Sequence, residues 1–155
     1  MKKIETQDTQ LIRQLEEVYG ESEMTRARLW WRNEFRPEIA ADYARVEMAL
    51  GTRENSWLGQ VVNYWGMAAS LVLSGTLSER AFLDAGFTDE MFEMFCKVQP
   101  FLLELRWRMR KPRLLQDVEE VITKSKRGRQ RLETLTMKRS VICRKDQAER
   151  QARAC

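Results

Sequence analysis

The chain has 155 residues, 43% of them apolar and 32% charged, with 27 Lys+Arg against 23 Asp+Glu and no histidine. This length and composition predict one soluble globular domain, with no room for two. The missing histidine removes Ser-His-Asp and Cys-His catalysis, His-ligated zinc and di-iron sites of the Glu-x-x-His type.

Almost every periodic stretch reads as helix. Between Asp8 and Gly20, the apolar residues Leu11, Ile12, Leu15, Val18 and Tyr19 recur at the three-and-four spacing of one helical face, and Gly20 is the stop. A second helix is predicted over about 24–35, with Leu29, Trp30 and Trp31 set between basic residues. Successive helical residues point about 100° apart, so Trp30 and Trp31 are not expected to share one core; one of them should be an interface or inter-helix residue. Pro37 stands where a helix can begin, because its missing N–H costs nothing there. That helix should run to Leu50, with Gly51 just beyond it, and bury Ile39, Tyr43, Val46 and Leu50.

From Asn55 to Ser78 no residue is charged, a length that has to be tested as a membrane span. Gln60, Asn63, Tyr64, Ser70 and Ser74 interrupt it and its mean hydropathy is low for a span, so a central helix buried on most sides is the preferred reading. Gly66, Ser70 and Ser74 lie four apart, a flank along which a neighbouring helix could approach closely. Thr88 is expected to cap the next helix, with Asp89 and Glu90 in its first turn and Phe87 and Phe92 at the spacing of a hydrophobic staple. Pro100 interrupts the run from Met91 to Met109 and predicts a kink or two successive helices. Pro112 should open a helix through Ile122 that buries Leu114, Leu115, Val118, Val121 and Ile122. No segment alternates as a strand would. The fold class is therefore all-α, a compact bundle of five to seven helices.

Several stretches belong together: Trp30-Trp31, Tyr64-Trp65 followed by Met67-Ala68-Ala69-Ser70-Leu71-Val72, Ser74-Gly75, Phe82, Pro100-Phe101-Leu102 with Glu104-Leu105-Arg106, and Pro112 before Val118-Glu119. Over about residues 7–122 the chain resembles a family of small bacterial helical proteins grouped as a domain of unknown function. The resemblance implies a helical fold and a bacterial cytoplasmic setting. It brings no reaction, ligand or functional residue.

Charge divides the chain in two. Residues 1–120 hold 16 Lys+Arg and 20 Asp+Glu, whereas 121–155 hold 11 and 3. The expected organisation is a helical domain over 1–122 and a basic, partly helical or disordered extension over 123–155. Lys124, Lys126, Arg127, Arg129 and Arg131 fall within eight residues and are the candidate phosphate or nucleic-acid contacts. The tail carries no aromatic residue, so stacking on bases is not on offer, and a solvated extension is the plainer reading. Arg106, Arg110 and Arg113 are expected to share a helix face, at spacings of four and three. They suggest either a phosphate site or helix-end charges around a packed Trp107.

Trp30, Trp31, Trp65 and Trp107 are the candidate interface or pocket aromatics. The carboxylate pairs Glu16-Glu17, Asp89-Glu90 and Glu119-Glu120 are adjacent, so none is a preformed acid–base pair. No glycine-rich phosphate loop is present. Cys96 reads as a small buried hydrophobe, and Cys96, Cys143 and Cys155 as free thiols of a reducing compartment. Met1-Lys2-Lys3 runs into a polar stretch without the apolar region of a signal peptide, in keeping with the cytoplasm. No catalytic residue, metal or cofactor is assigned. The expected role is a non-enzymatic protein-interaction module with a protein partner or a second copy. Nucleic-acid binding through the tail and a membrane-associated helical protein are the alternatives.

Overall fold

The computed structural model describes residues 2–154, with side chains over 7–154; Cys155 lies outside them. Among the described residues there are nine α-helices and no strand. They are α1 Lys2–Tyr19, α2 Ser22–Asn33, α3 Ala40–Met48, α4 Arg53–Leu73, α5 Glu79–Asp84, α6 Asp89–Val98, α7 Leu102–Arg108, α8 Gln116–Lys124 and α9 Lys126–Ala154. The all-α class is as expected. The helix count exceeds five to seven because α5 is a short extra helix and α9 is one continuous helix. Pro100 does divide its run, through a 3₁₀ turn over Gln99–Phe101.

The uncharged stretch supplies α4, the hub of the bundle, which packs against α2, α3 and α8. Leu58, Val61, Trp65, Ala68, Ala69 and Val72 are its buried face. Thr52 caps it, its hydroxyl accepting from the Asn55 N–H at 3.2 Å. The Tyr64 hydroxyl donates to the Leu15 carbonyl at 2.7 Å, a buried bond that ties α4 to α1. The flank of Gly66, Ser70 and Ser74 receives no helix. Ser70 and Ser74 are exposed and bond back to the Met67 and Leu71 carbonyls, and open space surrounds Gly66. Among the described residues no helix is long and apolar enough to cross a membrane.

Several boundaries depart from the sequence pattern for local reasons. α3 starts three residues after Pro37, where the Asp42 carboxylate accepts from the Glu38 and Ile39 N–H groups at 3.0 and 3.2 Å. It stops at Met48, where the Asn55 side chain donates to the Val46 and Glu47 carbonyls. Ile39 and Leu50 therefore fall outside the helix and are 57% and 84% exposed, which leaves Tyr43 as the fully buried member of the expected stripe. Thr88 does not cap α6; its hydroxyl donates to the Ala85 carbonyl. α8 starts at Gln116 rather than at Pro112, because Arg110 and Leu115 take left-handed backbone with φ of 54° and 56°. Leu115, Val118, Val121 and Ile122 are buried as expected, and Leu114 only partly.

Trp30 and Trp31 are both buried in one core, against the expectation that they could not share it, and of the two roles foreseen the inter-helix one is what they take. The chain after α2 folds back, with the Phe35 N–H bonded to the Trp30 carbonyl, and sets the Phe35 ring 4.8 Å from each indole. Trp30 then meets Trp57 of α4 while Trp31 meets Tyr43 of α3, so the two rings fill two adjoining parts of one core.

The basic tail does not separate from the body at 122/123. The first turns of α9 pack on α6 and α8, and Leu132 is part of the core. Gly128 makes this crossing possible: a Cβ there would lie 2.2 Å from the Ile122 carbonyl oxygen. The change from packed to exposed falls near residue 136, and every described residue from Thr136 on is exposed.

Candidate functional site

A half-open cavity of about 170 Å³ lies where α2, α4, α6 and α9 meet. Each helix lines it with residues at helical spacing: Arg28, Trp31 and Arg32 from α2, Val61 and Trp65 from α4, Leu135 and Arg139 from α9. α6 adds Glu90, Glu93, Met94 and Lys97, again three and four apart, together with Cys96. Aromatic and aliphatic side chains make the floor, and charged groups gather around it.

The charges are ordered by specific bonds. Arg28 donates to both oxygens of Glu90 at 2.9 and 3.0 Å and to the Tyr19 carbonyl at 3.2 Å, with its guanidinium 3.4 Å above the Tyr19 ring centroid. This bidentate pair is 13% and 17% exposed and joins the end of α1, α2 and α6. Burial, and then its hydrogen bond to Glu90, push the Tyr19 hydroxyl well above the usual tyrosine range. Arg32 sits more loosely, 3.6 Å from Glu90 and 3.8 Å from Glu93. The Lys97 ammonium donates to the Trp31, Arg32 and Phe35 carbonyls and so completes the C-terminal end of α2. Burial, and next the positive charges of Arg139 and Arg36, bring Lys97 down to about 8. Cys96 lies 3.7 Å from the Thr136 hydroxyl, and burial raises its thiol, so it is no activated nucleophile.

Two groups in this cluster remain open. The Trp31 indole N–H is buried without a hydrogen-bond partner among the described residues. Arg139 makes no hydrogen bond or ion pair among them.

The sequence candidates fare unevenly. Trp31 and Trp65 come together on the cavity, Trp30 is core, and Trp107 is 83% exposed on α7. Trp107 is therefore not the packed tryptophan that the basic cluster around it suggested. α7 ends at Arg108, so Arg106, Arg110 and Arg113 do not share a helix face. Arg106 is instead engaged by the Leu114 carbonyl at 3.0 Å and by Glu119 at 3.3 Å. Three of the five tail cations are also committed to the body. Arg127 pairs with Asp84, Arg129 donates to the Thr123 and Lys124 carbonyls, and Arg131 to the Leu83 carbonyl. Lys124 and Lys126 are exposed. Of this cavity the sequence pointed to Trp31 and Trp65 as pocket aromatics but not to the charged rim, whose trace is the spacing of Arg28 with Arg32 and of Glu90 with Lys97.

Residues 6–125 match the family model of a domain of unknown function (DUF4760). The chain belongs to this family. No curated protein and no solved structure matches it. The DUF4760 match ends at the junction of α8 and α9. Two cavity residues, Leu135 and Arg139, therefore lie beyond the matched segment and complete a site that the DUF4760 domain builds from α2, α4 and α6.

Proposed function

We propose that this chain is a non-enzymatic, cytoplasmic interaction module that pairs with a second copy of itself through the free part of α9. The observation behind this reading is the run 137–154, every residue of which is exposed on a helix otherwise anchored in the body. Such an arm is about 27 Å long. A helix with little tertiary contact is marginal in water, so a persistent one gains from a partner.

Charge selects that partner. The arm holds Lys138, Arg139, Arg144, Lys145, Arg150 and Arg153 against Asp146 and Glu149. The body presents exposed Glu16, Glu17 and Glu21 at the corner between α1 and α2. Reciprocal exchange of arms onto these corners gives a closed two-fold dimer. Met137, Val141 and Ile142 on the arm add apolar surface. Light scattering on the full chain and on residues 1–136 tests the proposal. The full chain should be a dimer at about 100 mM salt that weakens as salt rises, and the shortened chain a monomer. A full chain that stays monomeric at low salt overturns it.

The same excess of basic residues favours a second reading, duplex nucleic acid bound along the arm's backbone-facing cations. A labelled duplex should then bind with affinity that falls steeply with salt and vanishes in residues 1–136. Binding that survives removal of the arm refutes this reading.

A further inference from the structure

We infer that the cavity between α2, α4, α6 and α9 is a binding site for a small apolar monocarboxylate, of the size of an aromatic or branched-chain acid. The size follows from the volume. A space of about 170 Å³ is close to the roughly 150 Å³ that admits benzene in a cavity lined by aliphatic and aromatic groups. The floor of Val61, Trp65, Met94 and Leu135 offers that kind of lining.

The charge follows from the rim. Arg28, Arg32, Lys97 and Arg139 face Glu90 and Glu93, an excess of two positive charges. Arg28 is satisfied by its bidentate pair, and Lys97 by three carbonyls. Arg32 has only the two looser contacts, and Arg139 none. These two guanidiniums are the ones available to a carboxylate at the mouth. Burial is the main reason that Lys97 is lowered, and the charges of Arg139, Arg36 and Arg32 add to it.

Trp31 supplies a probe of the site. A buried donor left without an acceptor costs about 1–3 kcal/mol, and Trp31 is a wall residue of this cavity that is itself 4% exposed. The N–H is closed off from the cavity space as it stands, so Trp31 acts as a local reporter of what fills the site and Arg32 and Arg139 carry the recognition of the carboxylate. The site shares Arg139 with the arm, but its floor and Arg32 belong to the body. Ligand binding can therefore be read in a chain that does not dimerise.

The test is a titration of the full chain with benzoate, and in parallel with benzamide and inorganic phosphate, followed by the indole N–H signal of Trp31 and by the melting temperature. Benzoate should move the Trp31 signal saturably and raise the melting temperature with concentration. Benzamide should bind at least about threefold more weakly, and phosphate should do neither. Arg139→Ala, an exposed position, should weaken benzoate by about three- to tenfold with the fold intact. Leu135→Trp should fill the space and abolish the response. Isovalerate, tested in the same way, covers the branched-chain case. Failure of both carboxylates to shift Trp31 at about 10 mM, equal binding of benzamide and benzoate, or an unchanged response in Leu135→Trp each overturns the inference.

Discussion

Replacing Gly128 by alanine sets two effects of opposite sign against each other. Alanine is the better helix former by about 1 kcal/mol, and on an isolated α9 the exchange would stabilise. In the folded chain the new Cβ would stand 2.2 Å from the Ile122 carbonyl oxygen, against 3.4 Å or more for ordinary contact. Because the obstacle is backbone, no rotamer change relieves it, and α8 and α9 must part by roughly 1 Å. One turn further on, the parting loosens Leu132, a core residue 8% exposed, and then Leu135 and the cavity wall. Overpacking costs about 1–3 kcal/mol, and an overlap of this size against backbone belongs at about 2–3 kcal/mol, so after the gain of about 1 kcal/mol the net change should be a loss of about 1–2 kcal/mol. For a chain of this length that lowers the melting temperature by about 2–8 °C. Calorimetry gives the number, and hydrogen exchange of amides 126–136 should quicken selectively. A Gly128→Ala chain as stable as the parent, or more so, would refute the close crossing of α8 and α9.

Other substitutions test other parts of the fold. Glu90→Gln leaves the enclosed Arg28 guanidinium without its counter-charge and should cost about 3 kcal/mol in urea unfolding, whereas Arg28→Met combined with Glu90→Leu should recover most of that; additive losses would speak against a coupled pair. Lys97 titrates near 8 when folded and at 10.5 as a free side chain. Between those values the unfolded chain holds a proton that the folded chain has released, so Lys97 favours folding increasingly as pH rises through the window. The stability difference between the parent and Lys97→Met should move toward the parent from pH 8 to 10.5, and a flat difference would contradict the shift. Trp65→Ala should lose about 3–5 kcal/mol and Trp107→Ala stay within about 0.5 kcal/mol, read from thermal melts, because one ring is fully buried and the other faces water.

Much of the architecture was legible because helical periodicity is a local property. The uncharged run from Asn55 on became α4, Gly20 followed the end of α1, and Pro100 divided its segment. Positions just outside helix ends were misread. Ile39 and Leu50 continue the three-and-four spacing of α3 in sequence, but the Asp42 carboxylate and the Asn55 side chain bound the helix from either end. The burial of both Trp30 and Trp31 depends on Phe35 folding back, which no periodicity announces. Charge runs were misread for a related reason. Arg106, Arg127, Arg129 and Arg131 look alike in sequence, yet Arg127 and Arg131 are spent on Asp84 and Leu83 more than forty residues away, and Arg106 and Arg129 on carbonyls that only the turns at 109–115 and at 125 bring back to them. The cavity draws on four helices spread from Arg28 to Arg139, so its members become a group only after folding.

α9 is anchored at one end and free at the other, which makes it a pointer with a long throw. From Gly128 to Ala154 it extends for about 39 Å. A tilt of about 5° at the crossing with α8 would carry the tip through about 3 Å. Side chains around Gly128 therefore set the direction in which the basic arm aims, and residues far from any docking surface could retarget it without touching what it binds.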